Sequence, residues 1–366
     1  MSYPLDPVLD CPVDRVPDAE ELIEAAMQWH FDPQTGSRFW LERARTLDFD
    51  PRRDVGTFAD LRLFPNVANE LRDIRVEDLI PRGYGPKADV VGVFESGGTT
   101  GAPKRVVLLA DWMNRLMAHQ MRVMDARGDP RDVNWLSLGP SGPHLFDEII
   151  TWQARLRGGI KFSIDMDPRW VKKCIRDGRT EEADRYAEHL IDQGVFVLET
   201  QHIGVMMTTP PLLERIARRN ELVSLINEKL QLIIWGGAQM DADTRDLFRT
   251  EIFPEATLCG TYGSTMILGS ATERPGLTEN DPVIFDPFSP YISFSVVDPV
   301  TGEDVAYGER GQVVMNHISK SMLLPNNLER DIATRIQPLP RQLGDSVADV
   351  SPVAVFESEA VIEGVY

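Results

Sequence analysis

The chain has 366 residues, 42% hydrophobic and 26% charged, which is typical of a globular protein with one large or two ordinary domains. Its formal net charge of −19 argues against nucleic acid or an anionic membrane surface as a partner, because both require a basic face. Cys11, Cys174 and Cys259 lie far apart, which favours three separate thiols in a reducing compartment. No secretion signal or membrane span is evident, so we expect a cytoplasmic protein.

In chain order, the first 85 residues predict short helices and loops, with Asp18 as the N-cap of the first helix. Two apolar strands follow at 88–94 and 105–110, joined by a glycine-rich loop. Asp111 is expected to cap the next helix, whose methionines form an apolar, core-facing side. Between residues 134 and 260, strands alternate with helices, which indicates a mainly parallel α/β sheet.

From about residue 283 the pattern changes to pairs of strands, with a clear hairpin over residues 291–318. We therefore expect an α/β core at 1–282 and a small, antiparallel, β-rich subdomain at 283–366.

The most informative segment is the loop between the first two strands. It comprises Ser96, Gly97, Gly98, Thr99, Thr100, Gly101, Ala102, Pro103 and Lys104. Its glycines let backbone amides converge on an anion, and its hydroxyls and lysine add donors suited to a triphosphate. It is not a Walker A loop, because no GK[ST] follows the glycines and no helix begins there. A flexible polar turn is the alternative interpretation.

Three weaker signals lie where later strands end. Gly236, Gly237 and Ala238 follow one strand and leave room for a flat ring, although a plain strand-to-helix turn fits them as well. Gly260–Met266 combines Tyr262 with the hydroxyls of three serine and threonine residues, which suits adenine and an α-phosphate or carboxylate as readily as it suits a structural loop.

His144 follows a third strand, where it either borders a substrate pocket or is a structural histidine. GxSxG, SxxK and HExxH motifs are absent, which argues against a serine hydrolase or a zincin.

Taken in order, SGGTTGAPK, GPSGPH, GGA and YGST resemble the acyl- and aryl-adenylate-forming superfamily, and their spacing is similar to its phenylacetate-CoA ligase-like branch. The upstream segment GTFADLRLFPNVANELR strengthens this resemblance, which covers roughly residues 30 to 360. It implies the large N-terminal α/β domain of that fold, with stacked, mostly parallel sheets. It also implies ATP- and Mg²⁺-dependent conversion of a carboxylate to an acyl-adenylate.

The resemblance also implies roles for individual residues. Ser96 through Gly101 with Lys104 would hold the β- and γ-phosphates, and Gly236, Gly237 and Ala238 would line the adenine and acyl pocket. Within Tyr262, Gly263, Ser264 and Thr265, the tyrosine would stack on adenine and Thr265 would contact the α-phosphate. His144 would lie near the carboxylate and Asp331 near the ribose. Lys104, His144 and Thr265 are thus the expected catalytic residues.

Two features depart from the family pattern. Met266 stands where the family has a magnesium-binding glutamate, and a thioether is a poor ligand for a hard cation. Glu273 is the candidate replacement. The sequence after about residue 343 resembles the family hinge, and no lysine follows Lys320, so we expect the C-terminal lid domain and its lysine to be missing.

A shortened chain of this kind resembles the adenylating proteins of phenazine antibiotic pathways, among them the pathway to griseoluteic acid. That resemblance implies an aromatic carboxylic acid as substrate and a downstream reductase or transferase as partner, with a homodimer also open.

Two other functions remain open. One is a binding or carrier protein that has lost its chemistry, and the other is a nucleotide-sugar transferase with Asp165 and Asp167 as a metal-binding pair. A strand-end turn is the simpler interpretation of those two aspartates.

Overall fold

The computed structural model describes residues 6–96, 102–277 and 281–353, and the backbone of two short strands at 355–356 and 359–360. The N-terminal region is helical, as predicted, with α1 (Ala19–Phe31), α2 (Arg38–Arg43) and α3 (Pro51–Asp54). Asp18 caps α1, since its carboxylate accepts hydrogen bonds from the backbone amides of Glu20 and Glu21. Short 3₁₀ turns continue to residue 87.

The glycine-rich loop joins two antiparallel strands, β1 (Val90–Glu95) and β2 (Arg105–Leu109). Helix α4 (Ala110–Arg127) follows directly. Its N-cap is Leu109, so the prediction that Asp111 caps this helix is wrong. Asp111 lies in the first turn instead, where its carboxylate accepts a hydrogen bond of 2.7 Å from the Tyr84 hydroxyl.

An eleven-stranded sheet forms the centre of the molecule, in the order β10-β11-β12-β13-β9-β8-β7-β6-β5-β3-β4. Its parallel half consists of β3 (Asn134–Pro140), β4 (Lys161–Met166), β5 (Ile203–Thr208), β6 (Leu232–Trp235) and the first part of β7 (Thr257–Ser264). The helices in this half are α5 (Leu145–Leu156), α6 (Pro168–Arg176), α7 (Thr180–Thr200), α8 (Pro210–Ala217), α9 (Asn220–Lys229) and α10 (Ala242–Leu247).

The antiparallel half consists of β8 (Gly269–Glu273), β9 (Ile284–Asp286), β10 (Ile292–Val297), β11 (Arg310–Ile318), β12 (Leu323–Ile336) and β13 (Ser346–Pro352). A separate pair, β14 (Val355–Phe356) and β15 (Glu359–Ala360), follows. The predicted hairpin is confirmed, because β10 pairs antiparallel with β11.

The two halves meet inside one strand. Residues 257–260 of β7 pair in parallel with β6, and residues 261–264 pair antiparallel with β8. The change of pairing therefore falls upstream of position 283, where the sequence pattern placed the boundary. One strand thus links the two halves rigidly beside the site described below.

The three cysteines are buried free thiols, as predicted. None of the helices in the described part of the chain combines the length and apolarity needed to cross a bilayer.

Candidate functional site

An open cavity lies beyond the carboxyl ends of β3 and β6, with a volume of about 230 Å³. Its wall brings together Ser96, Lys104, His144, Gly236, Gly237, Gly263, Ser264, Thr265 and Asp331, which the sequence proposed from five separate segments. A second cavity of about 240 Å³ shares Gly237, Gly263 and Asp331 with it and adds Ala238 and Tyr262. We call them the central cavity and the nucleoside pocket, the second after the base and ribose that the sequence resemblance assigns to Tyr262 and Asp331. The edge of a parallel sheet is a common position for ligands in α/β proteins.

The two ends of the glycine-rich loop are tied together. The Ser96 amide donates to the Lys104 carbonyl at 2.9 Å, and the Lys104 amide donates to Ser96 Oγ at 3.0 Å. Arg72 Nε donates to the Ala102 carbonyl at 3.1 Å. These bonds hold the base of the loop against the cavity wall. The predicted phosphate ligands Gly97, Gly98, Thr99, Thr100 and Gly101 lie outside the described residues.

Glu95 anchors the residue before this loop. Its carboxylate accepts hydrogen bonds from Arg105, at 2.8 Å, and from Arg169 of α6. Burial alone would raise the pKa of Glu95, but these two guanidinium groups outweigh it and lower the pKa. The start of the loop is therefore fixed to a helix of the parallel half.

His144 lies immediately after β3, at the N-cap of α5, and lines the central cavity. It is 9% exposed. Burial lowers the pKa of His144 below its usual value, and the cations Arg169 and Lys172 lower it further. A neutral imidazole beside an anionic ligand offers one hydrogen-bond donor and one acceptor.

The turn after β6 needs small residues. A Cβ on Gly236 would lie 2.6 Å from Thr261 Oγ1 and 3.5 Å from the Phe146 ring, so a side chain there would narrow the cavity. Gly237 has a φ of +77°, which favours glycine. Ala238 belongs to the nucleoside pocket alone.

The loop between β7 and β8 forms the opposite wall. A Cβ on Gly263 would lie 2.4 Å from the Gly269 carbonyl oxygen, so close pairing of β7 with β8 requires glycine. Ser264 Oγ accepts a hydrogen bond of 3.2 Å from the Met266 amide, which caps the short turn that carries Thr265. Met266 is only 4% exposed and lines the central cavity.

The nucleoside pocket combines an aromatic ring with a carboxylate. The Tyr262 hydroxyl donates to Asp331 Oδ2 at 3.1 Å, and the Tyr262 ring packs 5.8 Å from the rings of Phe285 and Phe294. Burial, with a smaller contribution from Asp331, raises the pKa of Tyr262 well above its usual value. Tyr262 is thus a neutral phenol held in place, and Asp331 presents an acceptor beside it.

Several cations that sequence reasoning did not single out surround the cavity. Arg72 and Arg330 line it directly, and buried Lys172 lies near His144 and Arg330. Burial, then Arg330 and Arg169, lowers the pKa of Lys172 to about 6. At pH 7 Lys172 is therefore mostly uncharged. The described wall of the central cavity carries three cations, Arg72, Lys104 and Arg330, against the two carboxylates Glu329 and Asp331, and this excess of positive charge in a strongly acidic chain favours an anionic ligand. Arg72 ends the upstream segment of the resemblance, and Arg330 precedes Asp331, so both were adjacent to recognised motifs.

Glu273 lies away from both cavities. Its Oε2 accepts a 2.7 Å hydrogen bond from the Gly260 amide, and its Oε1 lies 3.9 Å from Arg245 Nη1. Burial raises the pKa of Glu273, which opposes the ionised form that a metal needs. Among the described residues, no group of three His, Cys, Asp or Glu side chains is arranged to hold a metal. We therefore leave Glu273 out of the site.

Asp167 caps α6 by accepting hydrogen bonds from the backbone amides of Arg169 and Trp170, and Asp165 accepts one from the Ser141 hydroxyl. These contacts agree with a strand-end turn.

Solved structures of 2-hydroxyisobutyryl-CoA ligase share the fold. The chain matches this ligase with 2-HIB-AMP and CoA in the thioesterification state at a TM-score of 0.59 and 14% identity, over 91% of this chain and 67% of that chain. The match to its open conformation with the same ligands has a TM-score of 0.57 at 14% identity, over 94% and 76% of the two chains. The match to its postadenylation state with R3-HIB-AMP has a TM-score of 0.59 at 14% identity, over 94% and 69%.

The fold that the resemblance implied, the large α/β domain of adenylate-forming enzymes, is thereby confirmed. This chain spans about two thirds to three quarters of that ligase's length. At 14% identity the similarity concerns the fold alone. No protein-family model matches the chain, and no curated protein matches it in sequence.

Proposed function

We propose that this chain binds ATP and a carboxylic acid in the two joined cavities and converts them to an acyl-adenylate and pyrophosphate. The observation that carries this proposal is the convergence of Lys104, Arg72 and Arg330 on the wall of a cavity that shares Asp331 with the nucleoside pocket. A cationic centre beside an aromatic and carboxylate pocket matches the phosphates, base and ribose of a nucleotide.

In the proposed reaction, a carboxylate oxygen of the acid attacks the α-phosphorus of ATP. One P–O bond forms, the P–O bond to pyrophosphate breaks, and no proton transfer is needed. Lys104 and Arg72 offset the charge that develops on the leaving pyrophosphate, and Thr265 donates to an α-phosphate oxygen. Neutral His144 orients the carboxylate, Tyr262 packs on adenine, and Asp331 accepts the ribose hydroxyls.

The protein groups do not fit a magnesium ion at the position that the resemblance assigns to it. Met266 offers a buried thioether there, and Mg²⁺ requires oxygen ligands. Magnesium often enters such sites already bound to nucleotide phosphates, and this is the form in which we propose that it accompanies ATP. No step here depends on a protein-bound metal.

We further propose that the acid is aromatic, because Phe146 and Ile149 border the central cavity below His144. The sequence resemblance supports a place in phenazine antibiotic biosynthesis, where a downstream reductase or transferase would receive the activated acyl group. A cytoplasmic location and a homodimer stay predictions.

ATP–pyrophosphate exchange is the direct test. We expect exchange that depends on an aromatic acid and is lost in Lys104→Ala. An absence of exchange across a broad acid panel, with ATP binding intact, would refute catalysis by this chain.

Met266 favours a second candidate, a binding or carrier protein for an aromatic acid or nucleotide. That function predicts a higher melting temperature with the acid but no exchange, because a ligand selective for the native state stabilises it without chemistry.

A further inference from the structure

A third, smaller cavity lies deeper in the parallel half, between α4 and α5. It shares the wall residues Phe146, Ile149, Thr261 and Ser270 with the central cavity. We call it the inner chamber. Its sides are mostly apolar, with Ile150 from α5 and Ile234 from β6. A ligand that passes Phe146 therefore exchanges a charged environment for a largely apolar one.

Two glutamine side chains interrupt this apolar lining. Gln153 Nε2 donates to Gln120 Oε1 at 2.8 Å, and both residues are 8% exposed. Gln153 Oε1 is buried without a hydrogen-bond partner among the described residues. Buried polar atoms are rarely left unpaired, so this acceptor on the wall of a cavity indicates a partner supplied by a ligand. Turning both amides around would present a donor instead of an acceptor, so a group that can both donate and accept satisfies either arrangement.

The charge of the inner chamber narrows the choice of ligand group. Arg127 is the one charged residue among its described lining residues. Its guanidinium is engaged by Asp129, with one bond of 2.7 Å from Nε to Oδ1 and a second from Nη2 to Oδ2, and Nη1 contacts Cys259 Sγ at 2.8 Å. The cation is thus already neutralised. An ionised second carboxylate would be desolvated here without a counter-charge, whereas a neutral polar group would not carry that cost.

The spacing along α5 sets the size of the ligand. His144 caps α5 and Gln153 lies nine positions further on, which corresponds to roughly 13 Å along the helix axis. A short aliphatic acid held by its carboxylate beside His144 does not span this distance. A fused or linked ring system can carry a polar group from the central cavity into the inner chamber.

We propose that the inner chamber receives the end of the acid opposite its carboxylate, and that Gln153 with Gln120 selects polycyclic aromatic acids bearing a hydroxyl or carboxamide at that end. This rests on the proposed function for the orientation of the acid. It adds the substrate class and two specificity-determining residues.

The test compares three acids on one ring system: 2-naphthoic acid, 6-hydroxy-2-naphthoic acid and naphthalene-2,6-dicarboxylic acid. Their dissociation constants are measured by calorimetry with the whole chain and no nucleotide. We expect the hydroxy acid to bind roughly tenfold more tightly than the other two, because it alone pairs the buried amide without adding a charge. Equal binding of all three, tightest binding of the dicarboxylic acid, or no binding of any would overturn the proposal.

Gln153→Met keeps the side-chain length and removes the amide. It should bring the affinities for the hydroxy acid and 2-naphthoic acid to within about twofold of each other. Gln193→Met makes the same change at an exposed position of α7 and should keep the full preference. An unchanged preference in Gln153→Met would contradict the role of the amide. If Gln153→Met does not fold, Gln120→Met provides the same comparison, and the three acids on the unaltered chain decide the outcome without any variant.

Failure of the proposed function gives a different result. Acid-dependent ATP–pyrophosphate exchange would be absent while the preference for the hydroxy acid persisted.

Discussion

The two halves of the central sheet contribute to the site in different ways. In the parallel half, the functional groups stand on loops just beyond the carboxyl ends of strands, as with His144 after β3 and Gly236 after β6. In the antiparallel half, they project from within long strands, as with Arg330 and Asp331 in β12. The first arrangement follows from topology alone. The second depends on how the whole sheet folds, because β7 and β12 are separated by three strands in the sheet and yet Tyr262 of β7 donates a hydrogen bond to Asp331 of β12.

The halves also differ in what they bury. The antiparallel half and α1 enclose two histidines, with His317 Nδ1 placed 2.5 Å from the Ile267 carbonyl oxygen and His30 Nε2 placed 2.8 Å from that of Ser319. Burial lowers the pKa of His30 to about 4 and that of His317 to about 3, although these hydrogen bonds partly oppose it. The antiparallel half is therefore expected to be the more sensitive to acid.

Acidification from pH 7 to pH 5 should produce the largest effect. These two histidines, and His119 of α4, whose pKa burial also lowers to about 4, titrate near 6.5 in the unfolded chain and lower in the folded one. The unfolded state therefore binds more protons in this range, and stability falls as pH falls. Each should lower the free energy of unfolding by about 2 kcal/mol, measurable by urea denaturation. Hydrogen exchange should show β11 losing protection before β5.

His317→Asn should reduce this pH dependence by about a third, whatever its effect on stability at pH 7. The control variant His202→Gln replaces an exposed histidine and should keep the pH dependence of stability seen in the unaltered chain. If the free energy of unfolding falls with pH equally in His317→Asn and in the unaltered chain, protonation of His317 does not cause the loss of stability.

Asp331→Ala tests the wall that β7 and β12 form together. Asp331 accepts from Tyr262 and is our proposed ribose ligand, so its loss should weaken AMP binding roughly 10- to 100-fold by calorimetry, the range for a hydrogen bond to a charged group. Tyr262→Phe keeps the aromatic ring and leaves the Asp331 carboxylate in place, so it should weaken AMP binding far less. AMP binding unchanged in Asp331→Ala would place the ribose elsewhere.

The same contrast explains which features the sequence could predict. The parallel strands and the alternation of helices with them follow from local periodicity, and this alternation was confirmed. The prediction of a cap at Asp111 was wrong because α4 begins at Ala110, directly after β2, so Asp111 lies inside the first turn, where its carboxylate bonds to Tyr84. The sequence did not predict three basic residues near the site, because nothing in their local pattern distinguishes them from basic residues on the surface. They are Arg72, Lys172 and Arg330. Only tertiary packing brings Arg72 and Arg330 to the central cavity and Lys172 close to His144.

Lys104→Ala should have a smaller effect, limited to ligands that carry β- and γ-phosphates. We expect ATP binding to weaken about tenfold, the lower limit for a charge-assisted hydrogen bond, while AMP and acid binding change less than about twofold. Lys87→Ala removes an exposed lysine ahead of β1 and should change neither. Equal losses for ATP and AMP, or a greater loss for the acid, would move Lys104 away from the β- and γ-phosphates.

Met266→Glu should have the smallest effect and bears on the antiparallel side of the central cavity. The carboxylate would join Ser264 and Thr265 on the cavity wall and supply the oxygen ligand that magnesium lacks there. Because burying a carboxylate at a site that is 4% exposed opposes this gain, we expect Mg²⁺ to strengthen ATP binding only about threefold more in the variant than in the unaltered chain. Met266→Gln introduces a side chain of nearly the same shape as glutamate but without its charge. Mg²⁺ should strengthen ATP binding no more in this variant than in the unaltered chain. If Met266→Glu and Met266→Gln respond to Mg²⁺ alike, this wall takes no part in metal binding, and the ion accompanies the nucleotide through its phosphates alone.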